Sequence, residues 1–268
     1  MLWKVTTALH AGAMATAALH PHFWPWALGA VAANHVTITA AGLCPRCSLL
    51  GPNCTRLPPT AAADRVLCIS IDDGPDPHTT PRVLDILERY NAKATFFCIG
   101  RRVAQHRALT EEIVARGHDV ENHSFSHPHY FSLLGPRAIG AELSAAQEAI
   151  AAVTGRAPMF FRSPAGLRNP FLEPALRRLD LRLVSWTRRG FDTVTANADR
   201  VVRRLANGLS GGDILLVHDG NSARDGADRP VIFEILPRLL ARLSERQLTP
   251  VTLRSALAEG TGPDHRPD

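Results

Sequence analysis

The chain has 268 residues, 45% of them hydrophobic and 21% charged, with a net charge of +5 at neutral pH. That length and apolar content exclude a disordered or fibrous chain and accommodate one well-filled globular domain plus a smaller appendage. The arginines are scattered, as in Arg101-Arg102, Arg177-Arg178, Arg188-Arg189 and Arg203-Arg204, with no aromatic ladder beside them. This argues against a nucleic-acid partner and for a mildly basic surface suited to anionic lipid or phosphorylated substrates.

From Val5 to Pro45 there is no Asp, Glu, Lys or Arg, a length that allows two membrane crossings of about 20 residues each. Within it, His20-Pro21-His22-Phe23-Trp24-Pro25-Trp26 carries two prolines that interrupt a helix and aromatic rings that favour a bilayer interface. Residues 1–49 therefore read as a hydrophobic, membrane-associated helical hairpin with transmembrane helices, bent near Trp24 and Trp26. Lys4 before it and Arg46, Arg56 and Arg65 after it predict both ends, and the domain that follows, on the cytoplasmic face of a bacterial inner membrane. A signal peptide competes, because Ala13-Met14-Ala15 has a small-residue cleavage pattern, and would make the protein an exported one.

Of five cysteines, Cys68 and Cys98 fall in apolar runs and read as small buried hydrophobes. Cys44-Pro45-Arg46-Cys47 with Cys54 has the spacing of a zinc clip or redox pair, but no fourth ligand follows. Residues 50–63, with Pro52, Pro58 and Pro59, read as a linker, and 64–268 as the globular domain.

In that domain short apolar runs predict strands near 66–71, 94–99, 118–122, 158–162, 181–186, 213–217 and 249–252. Helical patterns lie between them, around 80–90, 102–116, 137–153, 170–178, 197–208 and 230–244. Such alternation predicts an α/β fold with a parallel sheet, and seven strands of it predict closure into a barrel.

The polar clusters fall where strands stop, which is where α/β folds bind ligands. Asp72-Asp73-Gly74-Pro75-Asp76 follows the first strand, and its adjacent carboxylates repel, so one needs a cation or a proton nearby. His123 and His127 follow the third, four residues apart; a helix or a tight turn before Pro128 would each aim both imidazoles at one ion. With Asp73 they make a His, His, carboxylate set that leaves a position open for water on zinc. Arg162-Ser163-Pro164-Ala165-Gly166 follows the fourth strand, Trp186 to Asp192 the fifth, and His218-Asp219-Gly220 the sixth. Each alone has an ordinary structural reading; five in succession at strand ends do not.

These clusters, in this order over about residues 64–255, resemble the motifs of the NodB-type polysaccharide deacetylases, carbohydrate esterase family 4. The resemblance implies a distorted (β/α) barrel of about seven parallel strands with a divalent metal at its mouth, zinc by preference and cobalt or nickel as alternatives. It implies Asp72 as catalytic base, Asp73, His123 and His127 as metal ligands, Arg162 as the group that orients Asp72, and the Ala165 N–H as an oxyanion donor. Asp192 would orient His218, the general acid, and Trp186 and Leu216 would wall the acetyl pocket. The sequence departs from the common pattern at Ala165, where an aromatic residue is usual, at Thr193, where a Trp often stands, and at Glu121, where a small residue often stands. These departures bear on the substrate more than on the chemistry.

The expected function is a hydrolase that removes N-acetyl groups from N-acetylated amino sugars in a polysaccharide, an oligosaccharide or a lipid-linked glycan, the last favoured by the hairpin. An acetamide is a poor electrophile, so its hydrolysis needs an activated water, a stabilised oxyanion and a proton for the leaving amine, and each role has a candidate residue. Two other classes compete. A magnesium-dependent phosphatase would use Asp72, Asp73 and Asp76, although paired histidines suit zinc better. A non-catalytic carbohydrate-binding or membrane scaffold protein would retain only the metal site, although Asp72 and His218 are both present.

Overall fold

The computed structural model describes residues 2–258, and the last ten residues of the expected 64–268 domain lie outside the described residues. Helices α1 (Leu2–Leu19) and α2 (Trp24–Leu43) pack against each other as the expected hairpin, joined by a 3-10 turn at Pro21–Phe23. Both prolines sit at helix starts, where the missing N–H costs nothing. The expected transmembrane helices are not supported: among the described residues no helix is long and apolar enough to cross a membrane. His10, His20, His22, Asn34 and His35, with the threonines and glycines around them, dilute both arms.

The segment expected as a linker is stitched onto the domain. Leu50, Leu57 and Ala61 are buried, the last on the short helix α3 (Pro59–Ala63), and the Cys54 and Leu57 amides donate to Leu183 and Gly212 carbonyls at 2.9 Å each. Just before it, residues 44–47 lie as a strap across two loops of the barrel. Ser185 Oγ donates to the Pro45 carbonyl at 2.6 Å, Arg46 Nη1 donates to the Thr187 carbonyl at 3.2 Å, and the Arg168 amide donates to the Gly42 carbonyl. A Cβ on Gly166 would fall 2.8 Å from Pro45 Cβ, so only glycine lets this strap close on the loop. All five cysteines are free thiols, and no metal cluster among the described residues includes Cys44, Cys47 or Cys54.

The domain alternates strand and helix: β1 (Val66–Asp72), α4 (Thr80–Arg89), β2 (Ala94–Cys98), α5 (Gly100–Gln105), α6 (Arg107–Ala115), β3 (Asp119–Asn122) and α7 (Pro136–Thr154). It continues with β4 (Phe160–Phe161), α8 (Leu172–Arg178), β5 (Arg182–Leu183), β6 (Arg188–Arg189), α9 (Ala198–Ala206), β7 (Ile214–His218), α10 (Ile232–Glu245), β8 (Thr249–Val251) and α11 (Leu253–Ala258). All strand pairs are parallel, along the path β5-β4-β3-β2-β1-β7-β6, with β8 pairing the start of β1. Only residues 184–187 join the two ends of that path, a reach of about 3.5 Å per residue at most, so the sheet has to curl until its edges approach. The result is the expected distorted barrel.

Three local differences have physical causes. The single helix expected over 102–116 breaks at His106, which leaves helical geometry and caps α6 by accepting from both the amide and the hydroxyl of Thr110. Strand β4 is short because the Met159 and Phe160 amides donate to the Glu121 carboxylate. Strand β6 is two residues long, too short to give a periodic signal.

Side-chain alternation on β1 separates the core from the site. Leu67, Ile69 and Ile71 face the helix layer, where they pack with Val83, Leu84 and Leu87 of α4 and Ile235, Leu236 and Leu239 of α10. Burial of each such side chain contributes about 1.5–3 kcal/mol. The intervening Ser70 and Asp72 meet Arg162 of the β4 end. Strand β7 repeats the pattern, with Leu215 and Val217 in the helix-side core while Leu216 and His218 line the mouth of the barrel.

Candidate active site

Asp72 ends β1 and its neighbour Asp73 turns the chain out of the strand with φ 76°. Asp72 Oδ1 accepts from Arg162 Nη1 at 2.6 Å. That guanidinium is buried over the Phe97 ring at 4.1 Å and also donates to Ser70 Oγ at 2.7 Å, the Ser185 carbonyl at 2.9 Å and the Val184 carbonyl at 3.3 Å. Four partners fix the plane of Arg162, and a charge-assisted bond to it fixes Asp72 while leaving Oδ2 without that clamp.

Asp73 Oδ1 lies 3.2 Å from His123 Nε2 and 3.2 Å from His127 Nε2. The three donor atoms lie within 4.8 Å of one another and form a possible metal site. Asp73 Oδ1 is buried without a hydrogen-bond partner, while Oδ2 accepts from Asn221 Nδ2 at 2.9 Å. A buried carboxylate oxygen facing two imidazole nitrogens is a donor set that suits a divalent ion of the zinc type. Burial opposes ionisation of Asp73, but His123 beside it, then His218 and His127, hold its carboxyl well below the usual range. Burial, then the charge of His123, lowers His127 to about 4 and keeps it neutral, the form a metal ligand needs. His123 is pulled the other way, because Asp72 and Asp73 outweigh its burial and raise it. A cation in that place would take over the compensation of the two carboxylates.

Of the two shapes open for 123–127, the chain takes the turn. Ser124 and His127 have φ of 60° and 52°, and Asn122 Oδ1 accepts from the Ser124 amide. Glu142 of α7 accepts from the Phe125 and Ser126 amides and the Ser126 hydroxyl at 3.0, 2.8 and 2.6 Å. On the other side of the pair, His123 Nδ1 bonds the Arg162 carbonyl at 2.8 Å, so this nitrogen is the donor and Nε2 is turned to Asp73.

His218 ends β7 and bonds Asp192 twice, through its amide to Oδ2 at 2.7 Å and through Nδ1 to Oδ1 at 3.0 Å. Burial works against a charged imidazole here, but Asp192, then Asp73 and Asp72, outweigh it and raise His218 to about 9. His218 is therefore an imidazolium near neutral pH.

The turn after β4 places Ala165 at φ 54°, and its amide makes no hydrogen bond within the described protein. Asp73, His127 and Ala165, which line one cavity, are all non-glycine residues with positive φ. Such conformations cost about 1–3 kcal/mol each and persist only where the surroundings impose them.

One cavity of about 170 Å³ collects the candidates. Asp72, Asp73, His123, His127, Ala165, Trp186, Leu216 and His218 line it, and Arg162 and Asp192 stand behind Asp72 and His218. Thr193 also lines it, so that departure does face the ligand space. Glu121 does not: it is buried against Arg254 and the start of β4, and burial raises its carboxyl to about 7. Asp76, the third carboxylate of the phosphatase alternative, is kept outside as well, accepting from the His78 and Thr79 amides at the start of the next helix. The sequence reading missed Asn221, Arg189 and Glu142, none of which has a signal in spacing. It also missed Asp219, whose carboxylate fills the space that a Cβ on Gly74 would need and is raised to about 7 by burial.

Comparisons with known proteins identify the family. Residues 60–184 match the family model described as polysaccharide deacetylase. The chain is 30% identical over 196 residues to a peptidoglycan-N-acetylglucosamine deacetylase of Bacillus cereus, covering 72% of this chain and 89% of that one. It is 32% identical over 189 residues to a chitooligosaccharide deacetylase of a Bradyrhizobium species, covering 68% and 86%. Among solved structures, a family 4 carbohydrate esterase from Streptomyces lividans in complex with acetate superposes with a TM-score of 0.63 at 30% identity, over 76% of this chain and 98% of that one. The chain belongs to the polysaccharide deacetylase family, carbohydrate esterase family 4, and is a hydrolase of carbon–nitrogen bonds other than peptide bonds.

Proposed function

We propose that the protein is a metal-dependent deacetylase of N-acetylated amino sugars, with Asp73, His123 and His127 holding one divalent ion, zinc by preference. The observation that carries the reading is one cavity in which those three residues face both the Asp72–Arg162 pair and the His218–Asp192 pair. The named substrates of the relatives, peptidoglycan N-acetylglucosamine and chitooligosaccharide, support an N-acetylated glycan.

When bound, the ion supplies an activated water and polarises the acyl carbonyl. Asp72, aimed by Arg162, takes the water proton as oxygen attacks the carbonyl carbon. The Ala165 N–H donates to the oxyanion that develops, and Trp186 and Leu216 enclose the acyl methyl. Protonated His218 then delivers its proton to nitrogen as the carbon–nitrogen bond breaks, leaving acetate and a free amine. The test is acetate release from N-acetylated oligosaccharides and glycolipids, its loss on chelation and its return with zinc. Activity that survives full metal removal would overturn the metal assignment.

For location we propose the cytoplasmic face of the inner membrane, with the hairpin resting in one leaflet. Trp24 and Trp26 are 57% and 77% exposed beside uncovered Leu28 and Val36, an arrangement that suits a bilayer interface. A lipid-linked glycan fits that position. Alkaline phosphatase fused after Asp268 should be inactive; an active fusion would place the domain outside.

A further inference from the structure

We propose that Arg189 forms an oxyanion-binding subsite of the catalytic cavity, so that the N-acylated sugar carries a phosphate or carboxylate close to its acylamino group; this rests on the deacetylase reading above. Arg188 and Arg189 are consecutive on β6 and so point to opposite faces. Arg188 turns away from the cavity and is fully engaged, pairing with Asp213 at 2.5 Å and donating to the Asn207 and Gly208 carbonyls. Arg189 is in register with Leu216 of β7, and both line the cavity that holds Asp72 and His218.

Among the described residues the Arg189 side chain makes no ion pair and no hydrogen bond, and its Nε is buried without a partner. Three other arginines that reach into the domain pair with carboxylates, Arg162 with Asp72, Arg188 with Asp213 and Arg254 with Glu121, whereas Arg168, outside the cavity, donates to the Cys47 carbonyl and also keeps an unpartnered Nε. Arg189 is half-buried, and its Nε, shut off from water without an acceptor, carries a cost that an oxyanion arriving with the substrate removes. Neither carboxylate of the cavity pairs with Arg189: Asp72 Oδ1 accepts from Arg162, and Asp73 accepts from Asn221 and faces the two imidazoles. The guanidinium is held in advance, 5.3 Å from the Trp186 ring and 5.0 Å from the Phe191 ring. A planar fork fixed between aromatic faces suits two-oxygen recognition of phosphate or carboxylate. Trp186 also walls the acyl side, so the anion belongs on the sugar being deacylated or on its immediate linkage, not far along a polymer.

The experiment compares three probes on the zinc-loaded full chain: uncharged methyl N-acetylglucosaminide, N-acetylglucosamine 1-phosphate and N-acetylmuramic acid. Acetate release and calorimetric binding are measured for wild type, Arg189→Met and Arg189→Lys. One of the two anionic probes should exceed the neutral one by about tenfold to a hundredfold in kcat/KM, chiefly through KM, which also tells phosphate from carboxylate. Arg189→Met should bring that ratio near one, and Arg189→Lys, which keeps charge but not the fork, should fall between. Equal use of all three probes by wild type, or a preference that survives Arg189→Met, overturns the subsite and leaves the deacetylase reading standing. Arg189-dependent binding of an anionic sugar without acetate release supports the subsite and overturns the deacetylase reading instead. The wild-type ratio and wild-type calorimetry need no variant to fold.

Discussion

Replacing Asp192 by Asn removes the one carboxylate that touches His218, through both its ring and its amide, while keeping the side chain's shape. Asp192 is the chief reason the imidazole is raised from 6.5 to about 9 against an opposing burial. That shift corresponds to about 3 kcal/mol of preference for the protonated form. In Asp192→Asn the burial remains and its chief compensation goes, with only the more distant Asp73 and Asp72 left to oppose it, so His218 should titrate near its ordinary value of 6.5. At pH 8 the protonated fraction then falls from about nine-tenths to a few hundredths, a loss of roughly thirtyfold in kcat/KM from protonation alone. At pH 6 the loss from protonation should be less than about twofold. Acetate release followed from pH 5.5 to 10 gives the two profiles, and the alkaline limb should move down by about two pH units or more. An unmoved limb would refute His218 as the acid. Stability follows the same linkage: because the folded-state value is raised, the contribution is fully present below about pH 6.5 and is lost as pH rises through about 9.

Asp72→Asn should keep the metal yet lose about 10²–10⁴ in turnover, whereas Asp73→Asn should lose metal affinity, as read by elemental analysis; equal metal loss in both would make Asp72 a ligand. Glu142→Ala frees the amides of residues 125 and 126 and should loosen His127, weakening metal binding about 10–100-fold in a chelator competition; unchanged affinity would show that the turn holds itself. Arg162→Met leaves Asp72 buried without its partner, and should lower stability by about 3–5 kcal/mol in denaturant unfolding; a near-neutral result would mean that water reaches Asp72 freely.

What was readable in the sequence follows from what repeats or charges it. Residues 66–72 announce a strand because both of its faces are covered, and the ends of β1, β3 and β7 announce a site because polar residues interrupt apolar runs there. Glu142 could not be found that way, since it lies on a helix face and acts through backbone amides far from it in sequence. Arg189 was hidden by its neighbour: two adjacent arginines look like surface charge until a strand turns one outward and one inward. The hairpin was legible as two helices, but its placement in a bilayer depends on a hydropathy that the histidines lower.

The strap at residues 44–47 makes the proposed acyl pocket a joint property of two segments that look separable. Pro45 backs Gly166, takes the Ser185 hydroxyl, and so props the loops that carry Ala165 and Trp186 from outside. A chain shortened to begin near residue 64 would keep every candidate catalytic residue and lose that prop. Its pocket should tolerate longer acyl groups, with butyryl-to-acetyl selectivity lower than in the whole chain, so selectivity measured on the barrel alone would describe a different enzyme.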